Sequence, residues 1–442
     1  MFISVRSAAS GTKTMKILAL NPWITDFAAY DFWLKPYGFL VLLTYLKRKG
    51  FEIDYIDCLD EKIISNNFGR GSYPHKNLPN PQILSGFPRL FKQYGVEEEH
   101  LIEKIKKREA DYILLTSSMT YWYPGVKKIS RILKEYLPGK PLILGGVYPT
   151  LCYEHARNNI SCDLVIKNNE MDKFFKFIGT DYNRQELYST LPEYELFYPC
   201  LDYAVLRTSW GCPYRCPYCA VKELHPDFFR VPEEKIIAFL TKHTNKGVKD
   251  FVFYDDALLS GKEYIKKVLK QLISIKKNIR FHTPNALHLK YLDEELACLL
   301  KKSGFHNPHF GLETTNPLLQ QTWGNKANTD NLIKGIDYLK KGGYREGEFS
   351  VYMLLGYPGQ KLAELKKEIE FVNSLGVKIS LAEFSPVPKT QIFNQYQKKL
   401  REPLLQNNSV FTIIGRENIE EIRKLKNYVK DLNKKITAFS SP

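Results

Sequence analysis

Three cysteines stand within eight residues, Cys212-Pro-Tyr-Arg-Cys216-Pro-Tyr-Cys219, and they limit what this chain can fold into more than any other feature. A C-x3-C-x2-C run must close into a tight loop if its thiolates are to surround one small volume. Soft thiolate sulfur suits an iron–sulfur cluster or zinc. A closed structural site of either kind takes four ligands, and this run offers three. The open corner leaves room for a further ligand, as a catalytic centre requires. A zinc knuckle and a disulfide group are the plainer readings of the same spacing. Cys58, Cys152, Cys162, Cys200 and Cys298 are scattered and form no C-x2-C pair, a usage that points to a reducing, cytoplasmic setting.

Ahead of the cysteines, short apolar runs alternate with helical patterns. Residues 16–20, 51–57, 112–116, 141–145 and 163–166 read as buried parallel strands. Phe39, Leu42, Leu43 and Leu46 recur at helical spacing before Gly50. Val126, Ile129, Leu133 and Tyr136 do the same after Pro124. Alternating β and α units predict a doubly wound α/β domain over 15–178, with ligands beyond the carboxyl ends of its strands. The rim loops are then Asn21-Pro22-Trp23, Ser117-Ser118-Met119-Thr120, Gly145-Gly146-Val147-Tyr148 and Asn168-Asn169-Glu170. An insertion at 59–110, rich in Gly, Asn and Pro over 66–88 and containing Gly69-Arg70-Gly71, reads as a lid over a substrate. Residues 1–14 read as a tail or a misplaced start, and 179–203 as a linker. No run of eighteen apolar residues occurs, so no membrane span is expected.

The cysteine run, with Tyr218 before its last cysteine, resembles the signature of the radical S-adenosylmethionine (SAM) superfamily. The resemblance implies a [4Fe–4S] cluster on Cys212, Cys216 and Cys219, with SAM on the unique iron. Reductive cleavage of SAM would then give methionine and a 5′-deoxyadenosyl radical. Strand signals recur at 205–208, 251–254, 279–283, 309–312, 349–355 and 379–384, and the resemblance implies that these units form a partial (β/α)6 barrel over 204–395. Helices are expected between them, at 264–275 and 293–301 for example. Barrel sites lie at the carboxyl ends of strands, where further family-like segments fall. Asp255 and Asp256 follow the second strand, although adjacent aspartates can merely cap a helix. Asn285, Glu313 in Gly311-Leu312-Glu313-Thr314, and Gly356 and Pro358 in Gly356-Tyr357-Pro358-Gly359-Gln360 follow the next three. These residues and Tyr218 are the expected SAM contacts. Relatives usually carry Gly where Lys389 stands. His225, His282, His288 and Tyr352 near the rim could move protons or be ordinary packed side chains.

The first domain resembles the cobalamin (B12)-binding domain that precedes many radical SAM domains. That resemblance assigns Ser117, Ser118, Met119, Gly145 and Gly146 to cobalamin, with the glycines admitting its nucleotide tail close to backbone. Met119, Tyr121 or Trp122 could face the cobalt, or be core. No D-x-H-x-x-G occurs, and His75, His100 and His155 are out of register with it, which argues against a histidine under the cobalt. Residues 396–442 end in an amphipathic helix, with Ile419, Ile422, Leu425 and Val429 on one face; it is expected to pack on the barrel without chemistry of its own.

Taken together, the resemblances imply a cobalamin-dependent methyltransferase acting at an unactivated carbon or at phosphorus. Its electrons would come from a donor such as flavodoxin or ferredoxin. Rearrangement, cyclisation or oxidation without methyl transfer is the alternative. A tRNA methylthiotransferase would need a second cysteine set and a carboxy-terminal RNA-binding barrel, and neither is visible; a non-catalytic cobalamin or iron–sulfur protein is the remaining class. The formal charge of +16 reads as a dispersed Lys-rich face. No aromatic-interleaved basic stripe marks nucleic acid as a partner. Nothing in the chain names the substrate.

Overall fold

The computed structural model describes residues 14–61, 63–64, 68, 71–274 and 278–439. The readings placed on 1–13, on Gly69 and Arg70 and on 440–442 lie outside the described residues. Five parallel strands build the first sheet: β1 (Lys16–Asn21), β2 (Glu52–Asp57), β3 (Tyr112–Leu115), β4 (Leu142–Leu144) and β5 (Leu164–Val165). Ile17 and Ala19 enter one core while Leu18 and Leu20 enter the other. A strand buried on both faces reads as a continuous apolar run, which is why these strands were visible in the sequence. The order β5-β4-β3-β1-β2 puts the topological switch between β1 and β3, where such sheets open a crevice for ligands.

The insertion is more ordered than a loop. His75–Leu78 and Phe91–Tyr94 pair antiparallel, and Phe91–Tyr94 also pairs with Ile24–Asp26 from the loop after β1. Strands of three or four residues are too short for a period-two pattern to stand out. The residues read as a linker also pack. Tyr194 is fully buried; its hydroxyl donates to Val205 O at 2.9 Å and accepts from Val205 N at 3.1 Å.

Beyond it run β6 (Tyr203–Leu206), β7 (Asp250–Phe253), β8 (Arg280–His282), β9 (His309–Glu313), β10 (Ser350–Leu355) and β11 (Lys378–Glu383). They form two parallel three-stranded sheets, β6-β7-β8 and β9-β10-β11, with a seam between β8 and β9. Pro284 follows β8 closely, and proline has no N–H to extend a ladder. Across the seam, Leu287 N donates to His309 O and Gly311 N to Leu287 O, at 2.8 and 2.9 Å. The carboxy-terminal helix Ile419–Phe439 lies over β11 and the helix Leu362–Ser374. Asn433 clamps it, accepting from Ile379 N at 2.9 Å and donating to Ile379 O at 2.8 Å. Among the described residues, no helix is long and apolar enough to cross a membrane.

Candidate cofactor centre

After β6 the chain forms a short antiparallel ladder, Ser209–Trp210 with Phe229–Arg230, which closes the base of the cysteine loop. Asp255, at the end of β7, holds that base. Its carboxylate accepts from Thr208 N at 3.0 Å, from Thr208 Oγ1 at 2.6 Å and from Ser209 Oγ at 2.8 Å. Burial pushes this carboxyl above the usual range, and the Thr208 bonds oppose the shift. Asp255, expected to contact SAM, is 2% exposed, with its side chain turned back toward Thr208 and Ser209. Asp256 accepts from Arg207 Nη1 at 2.7 Å and from Gly211 N at 3.1 Å, bracing the residue before Cys212. Asn285 donates to Tyr254 O and Asp255 O at 3.0 and 3.2 Å, which ties the ends of β7 and β8.

Desolvation by the surrounding protein raises all three thiols, Cys219 to about 11 although that residue reaches the surface. Cys216 adds to the rise of the other two, and Lys326 opposes it in all three. His288 Nε2 lies 4.0 Å from Cys212 Sγ, and its ring stacks on Tyr214 at 5.2 Å. Burial lowers this imidazole to about 3, so it is neutral near pH 7. Among the described residues, no trio of His, Cys, Asp or Glu gathers around a single-ion position. By donor chemistry, three soft thiols on one loop, one ligand short, fit a multi-iron cluster.

Glu313 ends β9 across a bulge, with φ +69°, a left-handed conformation that non-glycine residues seldom adopt. Its Oε1 accepts from Lys326 Nζ at 2.5 Å, and both side chains are largely buried. A Cβ on Gly311 would lie 3.0 Å from Glu313 Oε1 and 3.3 Å from Lys326 Nζ, so glycine there makes room for the pair. Burial would lower the Lys326 ammonium, but Glu313, Cys216 and Cys219 outweigh it and hold the amine charged. The ammonium also lies 5.6 Å from the centre of the Tyr218 ring. Sequence reasoning missed Lys326. In the turn Trp323-Gly324-Asn325-Lys326 it looks like any solvated lysine, and only the glycine and asparagine mark the chain's bend.

Gly356 N donates to Gln360 Oε1 at 2.7 Å, and its carbonyl accepts from Ser409 Oγ at 2.6 Å. The tail thus covers that carbonyl, while Pro358 beside it is half-buried. Tyr218, Trp323 and Tyr357 form an aromatic row, with ring centres 5.5 and 4.4 Å apart. His282 pairs with Asp250 Oδ1 at 2.7 Å and stacks on Trp33. Tyr352 donates to Pro284 O, and His225 lies against Trp210. These three are engaged in packing.

At the rim of the first sheet, Ser117 Oγ donates to Gly145 O at 2.9 Å, and Val147 N donates to Ser117 O at 3.0 Å. Gly146 has φ +104°, and a Cβ there would lie 2.3 Å from Ser117 O. Gly145 differs: its missing Cβ points into open space. Ser118 and Met119 are exposed. A groove at the β1–β3 switch is lined by Asn21, Trp23, Ser118 and Trp122. A bare backbone cradle beside a switch-point groove fits a large ligand such as cobalamin. The segment after these glycines, Val147–Leu151, packs against Val221–Leu224, which directly follows the cysteine loop. Lys389 has φ +66° where glycine was expected, and its Nζ donates to Thr150 O at 2.8 Å.

Comparison with known proteins agrees with this arrangement. The model of the radical SAM superfamily matches residues 207–372, and that of the B12 binding domain matches 91–171. An uncharacterized methyltransferase of Pyrococcus horikoshii, PH0819, is 22% identical over 370 residues, covering 74% of this chain and 77% of its own length. The ribosomal protein uS12 methylthiotransferase RimO of Clostridium botulinum is 23% identical, covering 81% and 77%. Among solved structures, the radical SAM methyltransferase TsrM of Kitasatospora setae, with tryptophan substrate and aza-SAM bound, superposes with a TM-score of 0.64 at 13% identity, over 88% of this chain and 77% of that one. The cobalamin-dependent SAM radical enzyme OxsB, with aqua-cobalamin and SAM bound, gives 0.63 at 12% identity over 92% and 65%.

Proposed function

Because this chain belongs to the radical SAM superfamily, in the branch with a B12-binding domain ahead of the radical SAM domain, we propose that it is a cobalamin-dependent methyltransferase acting at an unactivated carbon or at phosphorus. The observation that carries this reading is the packing of Val147–Leu151 against Val221–Leu224, which brings the candidate cobalamin loop beside the cluster loop. We read 15–178 and 204–395 as the two cofactor domains. Cys212, Cys216 and Cys219 would hold the cluster. Glu313 and Lys326 would meet the charged end of SAM, with Asn285 and Tyr218 beside it. Gly145, Ser118 and Met119 would line the cobalamin cradle, braced by Ser117 and Gly146. When bound, the cluster supplies the electron that cleaves SAM, and cobalamin carries the methyl group.

The protein's own work is to orient these groups and keep water from the radical. Asp255 and Asp256 hold the cluster loop still, and His288 keeps a neutral ring against Cys212. An electron donor such as flavodoxin or ferredoxin, in a reducing cytoplasm, completes the reading. Methylthio transfer, the activity named for RimO, is less well supported, because it calls for a second set of cluster cysteines in the first domain, where Cys58, Cys152 and Cys162 are scattered.

The test is anaerobic reconstitution with iron, sulfide and hydroxocobalamin, followed by SAM and a reductant. The reading expects retained cobalamin, a [4Fe–4S] electron paramagnetic resonance signal, and loss of both that signal and SAM cleavage in C216A. With a true substrate, S-adenosylhomocysteine should accompany 5′-deoxyadenosine. Deoxyadenosine alone would select rearrangement or oxidation, and failure to retain cobalamin would remove the methyltransferase reading.

A further inference from the structure

A cleft of about 190 Å³ opens where four segments meet. Asp26 and Phe27 come from the loop after β1, Phe87 from the insertion, Glu383 from the end of β11, and Leu405 and Asn407 from the tail. Every residue of its wall lies outside 91–171 and 207–372, the spans that match the two cofactor domains. The cleft lies between the two rims, since Asp26 belongs to the first sheet's rim and Glu383 ends the last barrel strand.

Its walls differ sharply in chemistry. Asp26 is 6% exposed and accepts from Phe27 N at 2.6 Å, Trp122 Nε1 at 2.8 Å and Asn407 Nδ2 at 2.8 Å. All three donors are neutral, and among the described residues no Lys, Arg or His pairs with it. Glu383, by contrast, is bound by Lys426 and Asn408. A buried carboxylate without a counter-charge is costly unless a cation reaches it. Another wall carries Phe27 and Phe87, which stack at 5.0 Å with their planes within 5°, and Leu405 packs beside them. Arg89 also lines the cleft, but its side chain is exposed, which leaves Asp26 as the buried charge of the site. The volume is below the roughly 300–1,000 Å³ of pockets for drug-sized ligands, so the occupant is small.

We propose that this cleft is the substrate site and takes a small molecule with a protonated amine on a flat apolar body, the amine at Asp26 and the body against Phe27 and Phe87. Its being the substrate site rests on the methyltransferase reading; the amine specificity does not. The test uses cluster-loaded protein under anaerobic conditions, titrated with 2-phenylethylamine, 2-phenylethanol and 3-phenylpropionate. The amine should bind about tenfold or more tighter than the alcohol, as one charge-assisted contact allows, and the acid should not bind. D26N should erase the preference, and L405W should block all three while SAM binding persists. Should D26N fail to fold, L405W and the three probes decide alone. Equal binding of the probes, amine binding unchanged in L405W, or displacement of the amine by hydroxocobalamin would each overturn the proposal. Amine binding by a protein that never forms S-adenosylhomocysteine would leave the cleft intact and remove only the methyltransferase reading.

Discussion

Lys326 shows what a single residue contributes here. Its ammonium is buried between Glu313 and two of the three thiols, in a medium where charge is poorly screened. Removing one partner of such a pair leaves the other buried alone, at a cost of about 3–5 kcal/mol. In K326M, SAM binding should weaken by about tenfold or more while iron content after reconstitution stays near that of the parent; K326R should fall between. Equilibrium SAM titration with an iron assay checks this, and unchanged SAM affinity in K326M would remove Lys326 from the site. The three cysteines were legible because their spacing is local. Glu313 was legible through its glycine-bearing segment. Lys326 was not, because only its burial beside Glu313 sets it apart from an ordinary loop lysine, and burial is a property of distant neighbours.

At the scale of elements, short apolar runs in the sequence marked the strands of the three parallel sheets. They could not reveal the seam after β8, where Pro284 stops the ladder, or the short strands of the insertion. The helix Glu233–Asn245 carries a further consequence. His243 on it is 2% exposed against Phe239 and Tyr194, and burial lowers its imidazole to about 4. In the unfolded chain it takes a proton near pH 6.5; in the folded chain it does so only near 4. Its effect on stability is therefore nil above about pH 6.5 and grows more unfavourable as pH falls toward 4, by up to about 1.4 kcal/mol per unit. Thermal melting of H243L should decline less steeply than the parent between pH 6.5 and 4, with the curves parallel above pH 7. Parallel curves throughout would show that His243 carries no such penalty.

For the whole molecule, the core decides how the halves relate. One apolar cluster takes in Ile17 and Ala19 of β1, Tyr194 and Tyr198 of the packed connection, and Val205, Phe251 and Phe281 of the barrel. Polar contacts repeat the bridge: Tyr203 donates to Asp31 Oδ1 at 2.7 Å and Tyr198 to Asp57 Oδ2 at 2.6 Å, besides Lys389 to Thr150 O. Elements that share a core unfold together. Calorimetry of the cluster-loaded protein should show a single transition; two resolved transitions would mean that the shared core does not couple the halves.

By itself the sequence determined the chemistry: three thiolates one ligand short, alternating βα units, and glycines where backbone must come close to a neighbour. Each of these is written in local spacing and side-chain type. Tertiary structure decided which charged groups are buried together and which face a cavity. It turned Asp255 inward onto Thr208, drew Lys326 to Glu313, and set Asp26 among neutral donors in a cleft framed by the insertion and the tail. Those outcomes depend on contacts between segments far apart in the chain, and desolvation, which sets the energy of every buried charge, exists only once those segments have met.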